Sequence, residues 1–381
     1  MAEGLIDNRG GVGATLRVVF DSNPTHHTKE TLMNPLCRFP AAALTGLMLA
    51  SLTLPNTHAV TIDMVTVGDP GNTADTAPAG YGAVATSFQI MKYEWTNSQY
   101  VDFLNSVDAN GTNPNSVYNE SMGSNALGGI SRVNAAPGSR YAVTANMGDK
   151  PVNYVNWFDA ARVSNWLMNG ATGTSSTETG AYTLNNAISG NAPAVNPGST
   201  FYVPTEDQWY KAAYYKGGST NAGYWDYATQ SNTAPTAVTS GSTGIGSAGN
   251  TGNFANYNLG ADWNGLDGNV TTVGTNGGPS AYQTFDMTGN VWEWNDLTGA
   301  ASSFRGRRGG DIFNSALVNS AGARNPFIPV DELAGLGFRL ASPVAVPEPS
   351  TWVMTAAGLA CAGWGAFRRR RARGLTLYNP T

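Results

Sequence analysis

Cysteine and histidine are nearly missing from this sequence, and where the few copies fall matters more than their number. The two cysteines are Cys37 and Cys361, close to the two ends of a 381-residue chain. The three histidines, His26, His27 and His58, all precede residue 60. Residues 60–346 therefore contain neither type. That stretch can form no disulfide, even in an oxidising compartment. It can build no Cys/His site for zinc, copper or iron, and it offers no cysteine nucleophile and no histidine base. Charge is scarce too, at 12% of residues. Within 60–346, 12 Lys and Arg stand against 21 Asp and Glu, a net charge of −9. Such an acidic balance excludes a nucleic-acid footprint, which needs clustered positive charge. What is plentiful is glycine, with 46 copies, and aromatic mass, with 10 Trp, 16 Tyr and 13 Phe. The aromatics can fill a sizeable core, and the glycines fit an exported, loop-rich fold held by turns more than by long helices.

Both ends of the chain read as processing signals. Met33-Asn-Pro-Leu-Cys-Arg38 is a short basic n-region, residues 41–54 are an apolar h-region, and Thr57-His-Ala59 offers a small residue for cleavage. Residues 33–59 are thus expected to be a signal peptide cut by signal peptidase, with residues 1–32 an upstream extension before a start at Met33. A buried N-terminal helix is the plainer alternative. At the other end, Val346-Pro-Glu-Pro349 precedes an apolar run over 352–367, then arginines at 368–371 and Arg373. This order resembles the PEP-CTERM sorting signal read by an exosortase, placed over residues 347–373. The run is short for a spanning helix, which needs roughly 20 apolar residues. The arginines supply the positive-inside bias that would keep the tail cytoplasmic. The resemblance implies anchoring in the inner membrane before sorting, then release to the cell surface or extracellular matrix. A plain C-terminal anchor is the alternative.

Between the signals, residues 60–90 read as short strands around a turn at 68–72. Three helices are expected. Thr96-Asn-Ser-Gln99 is a capping-box pattern opening a helix with Tyr100, Phe103, Leu104 and Val107 on one face. Asn156 is expected to cap a second, over 157–168, with Trp157, Ala161 and Leu167 inward and Gly170 ending it. Thr205-Glu-Asp-Gln208 begins a third, running to about Tyr215. Two long polar stretches, 169–200 and 228–252, read as functional insertions or disordered loops. From Asn253 onward helical periodicity vanishes.

Five blocks then fall in a telling order: Tyr93-Glu-Trp-Thr-Asn-Ser-Gln-Tyr100, Pro151-Val-Asn-Tyr-Val-Asn-Trp157, Tyr202-Val-Pro-Thr-Glu-Asp-Gln-Trp209, Phe285-Asp-Met-Thr-Gly-Asn-Val-Trp-Glu-Trp294 with Arg308-Gly-Gly-Asp311, and Gly337-Phe-Arg-Leu340. Together they resemble the formylglycine-generating enzyme family, the sulfatase-modifying-factor domain, across essentially all of residues 60–346. The resemblance implies an α+β, C-type-lectin-like fold, loop-rich, with short strands and about three helices. It also implies two structural Ca²⁺ sites, since Ca²⁺ gathers six to eight oxygens from carboxylates, amides and backbone carbonyls. Asp286, Gly289, Val291 and Glu293 match one. Asn256, Tyr257, Asp267 and Asn269 match the other. The bland alternative for the first set is a hydrogen-bonded turn. Trp292 and Trp294 are expected in the core, and Arg339 as a buried cation in need of a partner.

The family's chemistry does not carry over. Its two copper(I)-binding cysteines fall near Asn314 and Asn319, or near Ala316 if Arg324 sets the alignment, and none of these is a ligand for copper(I). Relatives that hold iron through histidine find no histidine here, so neither a copper nor an iron cofactor is expected. Glu206 and Asp207 sit in a first helical turn, where the helix dipole accounts for them. The expectation is therefore an exported, non-catalytic, calcium-stabilised binding or extracellular-matrix protein, with a polysaccharide or protein ligand. The candidate surface is the loop over residues 311–332, with Asn314, Asn319 and Arg324 in the contact role and Phe313 and Phe327 as exposed aromatics. A loop that merely completes the fold is the plainer alternative. An enzyme with altered, non-cysteine chemistry in the same groove is the rival function, and a purely structural matrix role the third.

Overall fold

The first helix shows how local chemistry sets this architecture. In the computed structural model, which describes residues 60–344 apart from Ala79, α1 (Asn97–Val107) starts where the Thr96 hydroxyl accepts from the Gln99 amide and Gln99 returns the contact to the Thr96 amide. That reciprocal capping box satisfies two donors no intrahelical carbonyl can reach. Tyr100, Phe103 and Leu104 point inward as expected, and Val107 lies half out. A one-turn helix, α2 (Ser121–Ser124), follows unannounced by the sequence. The third helix, α3 (Trp157–Met168), is capped by Asn156.

The inward stripe expected for α3 is a correction. All ten residues from Trp157 to Trp166 are buried, because the helix runs through the main apolar cluster instead of lying on it. Leu167 is only half-buried, and Trp166 takes the core position, its ring 5.5 Å from that of Phe103. Immersion forces the polar residues of α3 to find partners. Arg162 reaches Glu178 at 2.8 Å, and Asn165 donates to the carbonyls of Thr177 and Tyr182. Helix α4 (Glu206–Tyr214) carries a third capping box, from Thr205 and Gln208.

The strands are short. β1 (Met64–Val67), β2 (Phe88–Met91) and β11 (Ala341–Pro343) form an antiparallel sheet in the order β1-β2-β11, tying the two ends of the domain together. β3 (Ile130–Arg132) and β4 (Tyr141–Val143) make a hairpin, and β5 (Thr236–Ala237) and β6 (Phe254–Ala255) a parallel pair. The fourth sheet carries the C-terminal motifs: β7 (Trp292–Asn295), β8 (Arg305–Arg308), β9 (Asn325–Phe327) and β10 (Leu336–Gly337), in the order β10-β7-β8-β9. β10 runs parallel to β7, and the other pairs are antiparallel.

The polar stretch over 169–200 is neither helix nor strand, yet its backbone is well bonded. Asn169 donates to the carbonyls of Asn165, Ser176 and Thr179, and Asn196 donates to that of Gly180. Amide side chains here do the work that a ladder does elsewhere. The expected signal peptide and C-terminal sorting segment lie outside the described residues, and among the described residues no helix is long and apolar enough to cross a membrane.

Candidate functional site

Strand β7 brings the two C-terminal motifs face to face. Its four residues are all buried, so Glu293 enters the core and must be paired. Arg339 meets it with two donors, Nε to Oε2 at 2.6 Å and Nη2 to Oε1 at 2.7 Å, and the indole of Trp209 on α4 donates to Oε2 at 2.8 Å. The remaining donors of Arg339 go to the carbonyls of Met91, Lys92 and Phe285. Burial is the largest single influence and works against the Arg339 charge, but the attraction and hydrogen bonds of Glu293 together with the charges of Glu94 and Asp286 outweigh it and hold the guanidinium above its ordinary pKa. The buried arginine expected from the sequence thus has its carboxylate, and Trp292 and Trp294 lie in the core as expected.

The two oxygen sets implied by the resemblance lie against each other. Asn290, beside Gly289 and Val291, donates its backbone N–H to the Asn256 carbonyl at 2.8 Å, and Asn256 donates its amide to the Asn269 carbonyl at 2.8 Å. Within the first set, Asp286 accepts from the Gly274 backbone and from the amide of Asn276 at 2.9 Å, while Glu293 is closed on Arg339. Gly289 has φ +85°, and a Cβ there would come within 2.3 Å of the Asn256 carbonyl oxygen, so the close approach requires glycine. In the second set the Tyr257 carbonyl accepts from Gly260, the Asn269 amide oxygen accepts from Val270, and Asp267 stands exposed. Asn256 Oδ1 is buried without a partner. A buried acceptor of this kind is what an oxygen-seeking cation would satisfy, so Asn256 Oδ1 is the one atom of the second set whose surroundings would suit Ca²⁺. The first set, neutralised by a guanidinium, has less to offer a dication. Among the described residues no three Asp, Glu, His or Cys side chains gather as a metal cage, so such an ion would rest largely on amide and carbonyl oxygens. Glu94, which accepts from the Asn290 amide at 2.7 Å, is pushed well above the usual carboxyl range by burial and then by Asp286 and Glu293.

The loop over 311–332 does not bring its three named residues together through a shared contact. Asn314 turns its amide oxygen back to the Asp311 N–H, at 3.0 Å. Asn319 is fully buried, with both amide atoms unpartnered, and lies so close to Gly310 that any Cβ there would collide with its Oδ1. Arg324 is partly exposed and donates to Glu206 at 2.8 and 3.0 Å. Phe313 projects outward, whereas Phe327 is half-buried with the Arg307 guanidinium 3.8 Å from its ring centre.

Sequence reasoning missed the group that anchors this loop. Glu206, assigned to a helix dipole alone, also holds Arg308 at 2.8 Å, and Arg308 lies 4.7 Å over the ring of Tyr81 and 4.8 Å over that of Tyr210. Asp311 is pushed up to about 6 by burial, against the pull of Phe313, Arg307 and Asn314. Asp296 is also pushed up to about 6 by burial, while Arg305, Tyr182 and Trp157 bind it. The legible signal was the run Arg305-Gly-Arg-Arg308, three cations in four residues of an otherwise charge-poor chain.

The model of the sulfatase-modifying factor enzyme 1-like domain matches residues 53–344. The chain belongs to that family. A second model, that of the PEP-CTERM protein-sorting motif, matches residues 345–371. The sulfatase-modifying-factor domain is therefore followed directly by a sorting signal, which supports export with exosortase processing and delivery to the cell envelope or surface. Solved structures similar to this chain include the Treponema denticola variable protein 1, at 21% identity, covering 75% of this chain and 96% of that one with a TM-score of 0.43. CarF is similar at 19% identity over 75% of this chain and 100% of its own, TM-score 0.44. PvdO from Pseudomonas aeruginosa is similar at 20% identity over 74% and 92%, TM-score 0.37. No curated protein compared with the chain matches it.

Proposed function

We propose that this sulfatase-modifying-factor domain is a non-catalytic binding scaffold of the cell surface or extracellular matrix. Its display surface is the loop over residues 311–332, and its ligand is a polysaccharide or protein. The observation that carries the reading is chemical: the resemblance calls for two thiolates, whose places fall near Asn314 and near Asn319, or Ala316 if Arg324 sets the alignment, and residues 60–346 hold no cysteine. Asn314 is spent on capping its own turn, and Asn319 is buried against Gly310. Amides are hard, neutral ligands and do not hold copper(I). The C-type-lectin-like fold implied by the resemblance suits display, because recognition can vary in loops carried on a fixed core. Structural Ca²⁺ is part of the proposal, held chiefly by the second set, Asn256, Tyr257, Asp267 and Asn269, with the first set, Asp286, Gly289, Val291 and Glu293, as the weaker site because Arg339 already pairs with Glu293.

Metal content of the purified full-length protein tests both halves. The expected result is about one to two calcium ions per chain, no stoichiometric copper or iron, and one calcium fewer after Asn256→Ala. Calcium should also raise the melting temperature relative to chelator, since an ion bound only by the folded state stabilises it. Stoichiometric copper or iron would overturn the scaffold reading in favour of an enzyme with altered chemistry. Identical melting in calcium and chelator would overturn the calcium sites.

A further inference from the structure

A cleft of about 340 Å³ opens between the β3–β4 hairpin and the loop that follows α1, lined by Asn110, Gly111, Arg132, Val133, Asn134 and Arg140. None of these residues belongs to the five family motifs. We propose that it is a second binding site, for a carboxylate-bearing sugar such as a uronic-acid unit of an acidic glycan.

The lining combines two guanidinium groups and two amides with no carboxylate of its own, in a domain whose net charge is −9. The two arginines are held, not free to sweep. Arg132 lies 4.9 Å over the ring of Tyr118 and 5.9 Å over that of Tyr141, with Nη1 3.0 Å from Glu120. Glu120 is 73% exposed, so this surface pair is weak and a ligand carboxylate can share or replace it. The stem of Arg140 runs across Gly111, where an added Cβ would sit 3.3 Å from Arg140 Cβ. Its Nη1 donates to Asn134 Oδ1 at 3.3 Å, and its Nε is buried without a partner.

An arginine fork matches a carboxylate through two parallel hydrogen bonds. The volume exceeds what one inorganic oxyanion fills and falls in the ~300–1,000 Å³ range of small-molecule sites. A sugar ring fits the remainder. Asn110 and Asn134 are exposed amides that can donate to and accept from its hydroxyls. Val133 is the only apolar side chain of the lining, which disfavours a hydrophobic guest.

Calorimetric titration of the full-length protein with D-glucuronate, D-glucose and sodium sulfate tests the site. Saturable glucuronate binding, absent for glucose and much weaker for sulfate, is the expected outcome. Arg140→Ala, on a partly exposed side chain, should melt like wild type and weaken glucuronate roughly tenfold or more. Arg132→Lys, which keeps the charge and loses the fork, should also weaken it. Added salt should weaken wild-type binding, which keeps the proposal testable even if a variant misfolds. Glucose binding as well as glucuronate, sulfate matching it, or a folded Arg140→Ala protein with unchanged affinity would each overturn the proposal.

Discussion

Glu293 is the residue on which the readings of this chain divide. The resemblance makes it a calcium ligand, whereas the structure closes it on Arg339 with two short contacts and on Trp209 with a third. A buried carboxylate can be satisfied by either kind of cation, but one already paired with a guanidinium has little charge left for a dication. Asp311 poses a different question at the same scale, because its charge is not fully compensated. Its pKa is pushed up to about 6 by burial, against about 3.9 in an unfolded chain. Between those values the folded state holds more protons than the unfolded one, so this group's contribution to stability falls as pH rises through about 4 to 6. Asp311→Asn removes the titration while keeping an acceptor for the Phe313 N–H, at 3.0 Å in wild type. At pH 4 the variant and wild type should melt alike. By pH 7 the variant should be the more stable, on the order of 1–3 kcal/mol. Melting curves at the two pH values decide it, and an equal gap at both would show that burial does not burden this carboxylate.

The helices were the most legible elements because their starts are written in neighbouring residues. Thr96 with Gln99, Asn156 with Asp159 and Thr205 with Gln208 each close a capping box over a spacing of three, and such a pattern needs no knowledge of the rest of the fold. What α4 carries was not legible. Glu206 meets Arg308 and Arg324 across 102 and 118 residues of sequence, and no local rule connects them. The misplaced inward stripe on α3 has the same origin, since periodicity locates a half-buried face but cannot foresee a helix surrounded by core. Thr205 joins the local and distant effects, for its cap fixes the helix from which Glu206 and Trp209 reach the C-terminal motifs. Thr205→Ala should cost about 1 kcal/mol, a fall in melting temperature of about 2 °C for a domain of this size. Loss of the cap should be partly rescued by Thr205→Asp and not by Thr205→Val, which keeps the shape without the acceptor. Equal melting of the Val and Asp variants would mean that packing, not the hydrogen bond, accounts for Thr205.

For the whole molecule, the order of the motifs made the family readable while the pairing of its strands stayed hidden. β11 joins β2 across most of the domain, and β10 lies parallel to β7 on the edge away from β8. Strands of two to four residues carry too little periodicity for such long-range pairing to be inferred. The sorting signal, by contrast, is readable for a reason that has nothing to do with folding: it is an address carried in a linear order of Pro-Glu-Pro, apolar run and arginines. Its function should therefore separate cleanly from that of the domain. Replacing Pro347 and Pro349 with alanine leaves the apolar run and the arginine cluster at 368–371 intact, so the positive-inside bias expected to retain the tail would persist. The variant should accumulate in the membrane fraction of an exosortase-containing host as a full-length band, with the melting temperature of wild type. Wild type in a host lacking the exosortase should behave the same way. If the variant reaches the surface at wild-type size and amount, residues 346–349 are not read as a sorting address, and the C-terminal segment acts as a plain anchor.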